Sequence, residues 1–173
     1  MARTLSTMLP LGTPAPDFAL PDLDGRTVAL GDLAAAPALL VMFICNHCPF
    51  VIHVQRPLVA LVKAWQARGV AVVGINSNDV QAFPDDAPDR MRAVAAEQDY
   101  TFPYLLDATQ EVARAYRAAC MPDFFLFDRD RSLFYRGQLD DSRPGSSIPV
   151  TGQDLGAAVD AVLAGRPAPD PQV

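Results

Sequence analysis

Basic residues are in deficit: 14 Lys and Arg stand against 20 Asp and Glu, a formal net charge of −6. A chain with that balance lacks the positive field that draws phosphate backbones and anionic lipid surfaces, so neither nucleic acid nor a membrane is expected as a partner. Long apolar runs are missing as well. The longest, Pro37 to Cys45, falls far short of the roughly 20 residues a membrane span needs. The opening stretch MARTLSTMLPLGTPAPDF has one Arg, no apolar centre of signal-peptide length and no small-residue cleavage site, so the expectation is a cytoplasmic protein. Cysteine is sparse too, with three residues in 173, too few for a disulfide framework. In a reducing compartment a close cysteine pair is catalytic or metal-binding before it is structural, and Cys45 and Cys48 form such a pair. No internal repeat and no cofactor-binding motif is visible, and no cofactor is expected.

Half of the residues are hydrophobic and a fifth charged, the composition of a chain that packs a core. The length fits a single domain, 1–173, with a core over about 11–164 and short flexible tails. Asp24-Gly25 supplies a turn between Phe18-Ala19-Leu20 and Thr27 to Leu30, an N-terminal hairpin. Ala38 to Ile44 and Val70 to Ile75 are continuous apolar runs of strand length, as in strands covered on both faces of a parallel sheet. Between them Pro49 to Arg68 has helical spacing. Phe50, Val54, Leu58, Leu61, Val62 and Trp65 share one face, His53, Arg56 and Lys63 the other, and Gly69 closes the segment. Pro57 should kink this helix or divide it in two.

A Pro-rich acidic loop from Asn76 to Pro88 follows, then a helix from Asp89 to about Asp99. As the sequel to a parallel strand, the loop should emerge beside the cysteine pair, where it either shapes access or is simply solvated. Asp107 to Gln110 reads as a capping box for a third helix to about Ala118, and Thr151 to Asp154 as another for a last helix ended by Gly165. Phe124 to Phe127 and Leu133 to Leu139 flank Asp128 to Arg131 as an antiparallel hairpin. The sum is an α/β chain, a central mixed sheet flanked by helices with a hairpin extension.

The chemistry is concentrated in Cys45-Asn46-His47-Cys48-Pro49, which ends a buried strand and opens a helix. A thiol at a helix N-terminus ionises below its free value of roughly 8.5, because unpaired amides and the helix dipole favour negative charge. Two intervening residues let the sulfurs bond and separate without refolding. The first cysteine, placed at the exposed helix start, is the expected nucleophile, Cys48 the resolving thiol, and His47 a stabiliser of the Cys45 thiolate. A metal site from Cys45, Cys48, His53 and Cys120 is the binding-class alternative.

The strand-CxxC-helix arrangement, with Cys120-Met121-Pro122-Asp123 before an apolar strand, resembles the thioredoxin-like superfamily, in the redoxin branch that includes AhpC/TSA proteins and peroxiredoxins. The resemblance spans roughly Leu11 to Ala164, and CNHCPF with GINSND and PDFFLFD resembles a bacterial group within it. It implies a thioredoxin-like fold and a cis-proline at Pro122 opposite the cysteines, with Asn46, Met121 and Cys120 on the substrate-docking side. It also implies thiol-disulfide exchange with a disulfide-containing protein or small molecule, and recycling by a thiol reductant. Peroxiredoxins keep Cys-Pro, present as Cys48-Pro49, but also a Thr or Ser where this chain has Cys45 and an Arg where it has Pro122. Losing a guanidinium removes both a donor and a charge that peroxide cleavage uses, so exchange ranks above peroxidase chemistry.

Overall fold

The computed structural model describes residues 6–172. A hairpin of β1 (Ala19–Pro21) and β2 (Thr27–Ala29) precedes a five-stranded sheet in the order β5-β4-β3-β6-β7. The strands are β3 (Leu39–Phe43), β4 (Ala71–Asn76), β5 (Tyr104–Leu106), β6 (Asp123–Phe127) and β7 (Leu133–Gly137). β3, β4 and β5 are parallel, whereas β6 and β7 run antiparallel, so the sheet is mixed as expected. The three-residue β5 was not anticipated, because a single turn of sequence after Phe102-Pro103 is too short to show a period.

Alternation along β3 divides the core into two layers. Leu40 and Met42 pack with Val54, Leu58, Trp65 and Leu155, beneath α1 (Pro49–Ala67), α2 (Pro88–Glu97) and α4 (Gln153–Leu163). Leu39, Val41 and Phe43 face the other way, onto Phe18 of the N-terminal segment and Val112 and Tyr116 of α3 (Glu111–Tyr116). Every β3 and β6 residue is buried, which explains the unbroken apolar sequence of β3 and of β6 after Asp123. The segment around Pro57 forms one helix, so two shorter helices are excluded. Among the described residues no helix is long and apolar enough to cross a membrane.

Neither anticipated capping box forms as such: at α4 a carboxylate from elsewhere replaces it, and at α3 Asp107 itself holds a first-turn amide but from three residues ahead of the cap. Gly152 precedes α4 at φ +68°, and the cap makes no side-chain hydrogen bond. Its amide and that of Thr151 donate instead to Asp140 Oδ2 at 2.6 and 2.7 Å. Asp154 is turned to Gln138. A Cβ at Gly152 would stand 2.3 Å from Leu61, so both backbone and space require glycine there. At α3, Gln110 sits at φ +60° without a side-chain cap bond, and its amide reaches the Ser77 carbonyl. Asp107 is buried and accepts from Ser77 Oγ and the Ala113 amide, both at 2.9 Å. The helix ends at Tyr116, earlier than expected, where Arg117 turns left-handed.

Asp140→Ala should therefore destabilise the protein by about 3 kcal/mol in urea unfolding, since it strands buried amides. Asp154→Ala should cost under about 1 kcal/mol. The capping-box arrangement would give the opposite order.

Candidate active site

The register sets the site at one edge of the sheet. Phe43, the last residue of β3, pairs with Asp123, the first of antiparallel β6. Continuing that register outward points Cys45 and Met121 at each other, and the parallel β4 ends at the same edge with Asn76. The Met121–Pro122 peptide is cis, and the Met121 carbonyl oxygen lies 3.3 Å from Cys48 Sγ.

The two cysteines are not disposed as the sequence led one to expect. Cys45 extends the strand direction and is 1% exposed, with Ile44 still bonded to Ile75 at 3.0 Å. Asn46 and His47 form the bend, and Cys48 is the N-cap of α1 in an extended conformation (φ −69°, ψ 123°). Pro49 is the cause: a residue before proline is kept out of the helical region, so the helix cannot begin until Cys48 has passed. The half-buried Cys48, not Cys45, thus meets the helix amides. Its thiol is lowered to about 6 by a hydrogen bond from the Cys45 thiol, helped by the Val51 and Phe50 amides and by the His47 charge, against a burial cost. Cys45 moves the other way, raised by its bond to Cys48, by burial and by the nearby Asp86 carboxylate. The His47 charge accordingly favours the Cys48 thiolate, while the same ring lies within 4.8 Å of the Cys45 sulfur.

Asp86 is the residue that sequence reasoning passed over. It lies in the acidic loop yet is 0% exposed. Its Oδ1 accepts from the Asn46 amide (2.7 Å) and Asn76 Nδ2 (3.0 Å). Its Oδ2 meets His47 Nδ1 (2.6 Å) and Asn78 Nδ2 (2.8 Å). The loop therefore belongs to the site and is not merely solvated. Phe83 from the same loop stacks on the His47 ring at 4.6 Å and 7°. The only hints were an aromatic residue amid the acidic run and two asparagines, Asn76 and Asn78, beside it.

Asn46, expected to dock substrate, is instead a structural tie: its amide group donates to the Asp85 carbonyl and its oxygen accepts from Tyr104 Oη. Met121 is half-buried and packs on both core layers. Cys120 is half-buried on the same loop, its thiol raised to about 12 by burial and by the Asp123 charge. Cys45, Cys48, His53 and Cys120 are not brought together as a metal-holding group among the described residues, and His53 Nε2 is engaged by Ser142 Oγ at 2.7 Å. Cys45, His47 and Asp86 do offer three donor atoms within 4.8 Å of one another, the arrangement among the described residues able to hold a metal ion. Asp86 already has four hydrogen-bond partners, so the cluster is complete as a polar network.

Two cavities adjoin at Cys48. One, about 420 Å³, is lined by Cys45, His47, Ser77, Asn78 and Arg114. The other, about 500 Å³, lies across the cis-proline loop and is lined by Phe50, Val54, Leu139 and Pro122. Cys48, Cys120 and Met121 form a wall of both.

Residues 11–136 match the AhpC/TSA family. The chain belongs to that family. A solved structure of an uncharacterised conserved protein from Geobacillus kaustophilus superimposes with a TM-score of 0.97 at 55% identity, over 99% of this chain and 92% of that one. The thiol-disulfide oxidoreductase ResA of Geobacillus thermodenitrificans (strain NG80-2) is 26% identical over 129 residues, 73% of this chain and 68% of that protein. A Mycobacterium tuberculosis (strain ATCC 25618 / H37Rv) protein provisionally named a peroxiredoxin is 29% identical over 115 residues, 66% of this chain and 68% of that one. The fold is thioredoxin-like, with an N-terminal hairpin that forms its own two-stranded sheet beside the mixed one.

Alkylation of the reduced protein by iodoacetamide, mapped by mass spectrometry, should modify Cys48 first. Its rate should rise with pH about a midpoint near 6, since the thiolate is the form present above that value. His47→Gln should move the midpoint up. Faster modification of Cys45 at neutral pH would contradict this order.

Proposed function

We propose that this AhpC/TSA-family protein is a thiol-disulfide oxidoreductase in which Cys48 attacks and Cys45 resolves. The observation that carries the reading is the asymmetry of the pair: Cys48 caps α1 half-exposed beside the Met121 carbonyl, while Cys45 is 1% exposed. Similarity to ResA supports the reaction class.

In the first step the Cys48 thiolate attacks one sulfur of a substrate disulfide. A Cys48–substrate bond forms, the substrate S–S bond breaks, and the departing thiolate takes a proton from solvent. Cys45 must then lose its proton. The His47–Asp86 pair is within reach of it and accepts that proton. The resulting Cys45 thiolate attacks Cys48 Sγ, closing the protein disulfide and releasing the second substrate thiolate. Two electrons pass from protein to substrate, and an external thiol reductant reverses the sequence.

A second reading keeps Cys48 as nucleophile but takes a hydroperoxide, and the proline after Cys48 together with similarity to a protein named a peroxiredoxin favours it. It ranks lower because cis Pro122 stands where the guanidinium would be. Arg114 of the polar cavity wall is exposed and turned to the Thr109 carbonyl.

Cys45→Ser should accumulate a mixed disulfide through Cys48, and Cys48→Ser should accumulate little; the reverse pattern would return the nucleophile to Cys45. Stopped-flow oxidation by hydrogen peroxide should run no faster than for an ordinary thiolate, and a large excess over that rate would promote the peroxidase reading. Asp86→Asn should slow closure of the protein disulfide by about tenfold or more, and slow the attack step much less. Equal slowing of both would remove Asp86 from the proton path.

A further inference from the structure

The polar cavity of about 420 Å³ beside Cys48 carries a charge pattern that the exchange steps do not use. The chain as a whole is acidic, at −6, yet none of the residues lining this cavity is Asp or Glu. Two wall residues turn their donors away from it: Ser77 Oγ donates to Asp107 and Asn78 Nδ2 to Asp86. Both of those carboxylates are 0% exposed, so neither meets a ligand in the cavity. Two wall residues can carry positive charge, His47 and Arg114. His47 is committed to Asp86 at 2.6 Å. Arg114 is not committed. It is exposed, and it enters none of the ion pairs formed among the described residues. Its Nη2 donates to the Thr109 carbonyl, which leaves Nη1 and Nε for another acceptor. A cleft walled by cations alone concentrates anions, even on a protein of net negative charge.

From this we infer that the polar cavity is the pocket for a low-molecular-weight disulfide bearing a carboxylate a few bonds from sulfur, and that Arg114 is the residue that selects it. The inference rests on the exchange reading with Cys48 as the attacking sulfur, and Cys48 and Arg114 line this one cavity. Its volume is that of an ordinary small-molecule site. A guanidinium holds a carboxylate through two parallel hydrogen bonds, which fixes orientation as well as charge. Arg114 is exposed, so solvent screens the pair and the selectivity is several-fold rather than thousand-fold. With a carboxylate on Arg114, the disulfide is held in the same cavity as the Cys48 thiolate. The reaction is R–S–S–R plus the Cys45/Cys48 dithiol giving two R–SH plus the protein disulfide, with two electrons and two protons passing to the substrate.

The test offers the reduced protein three disulfides that differ only in their end groups: dithiodipropionate is anionic, hydroxyethyl disulfide neutral and cystamine cationic. Each second-order constant is divided by that of free mercaptoethanol thiolate with the same disulfide, which removes intrinsic reactivity. On that scale dithiodipropionate should lead the neutral compound by about fivefold or more, with cystamine last. Arg114→Gln should slow dithiodipropionate about fivefold more than it slows hydroxyethyl disulfide, and Arg114→Glu should place cystamine ahead of dithiodipropionate. Arg117→Gln removes an exposed cation that does not line the cavity, and it should keep the wild-type order and ratio. Equal normalised constants for the three disulfides would overturn the pocket assignment, as would an Arg114→Gln protein with the wild-type ratio or an Arg117→Gln protein with the same loss as Arg114→Gln. Failure of all three disulfides to oxidise the cysteines would instead overturn the exchange reading, and this inference with it.

Discussion

The site depends on one buried carboxylate. Asp86 holds four donors from two stretches of chain: the Asn46 amide and His47 ring from the bend before α1, and the side chains of Asn76, the last residue of β4, and Asn78 just after it. A carboxylate removed from water is costly unless its lone pairs are occupied, and here they are. The consequence is geometric. The bend between the cysteines is fixed from the side, the loop carrying Phe83 is drawn over His47, and Cys45 is left with a negative neighbour that opposes its ionisation.

From that constraint follows a division of labour between two sulfurs three residues apart. Pro49 keeps Cys48 extended, so Cys48 collects the helix amides and faces the cis-proline loop. Cys45 remains an extension of β3, buried and protonated. Under the proposed cycle the same carboxylate then has a second use, because the group that opposes the Cys45 thiolate at rest also holds the His47 ring through which the Cys45 proton leaves when a mixed disulfide has formed. Opposite environments for two neighbouring titratable groups are a common means of separating attack from resolution.

Much of this was legible in the sequence, for identifiable reasons. The runs Ala38 to Ile44 and Val70 to Ile75 are buried on both faces and so declare themselves as central strands, which fixes the cysteines at a strand-to-helix junction. Pro122 before an apolar strand was equally plain, and the family match covers both features. The helix start was read correctly at Pro49, but its consequence was missed: a residue before proline is kept out of the helix, so Cys48 is the cap and Cys45 stays with the strand. Asp86 was hidden for a different reason. Its burial is made by a loop folding back 40 residues in sequence onto the Asn46 amide, and in the chain it is one acid among several. The α4 cap failed in the same way, since Asp140 reaches Thr151 and Gly152 across a gap that local spacing does not encode.

The most direct check on the account is a pH titration of the reduced protein with the cysteine β-carbons labelled with carbon-13, which reads each thiol separately by its chemical shift. The account predicts that Cys48 titrates near pH 6 while Cys45 stays protonated well above pH 9. A Cys45 that ionises first, with Cys48 following at higher pH, would contradict it.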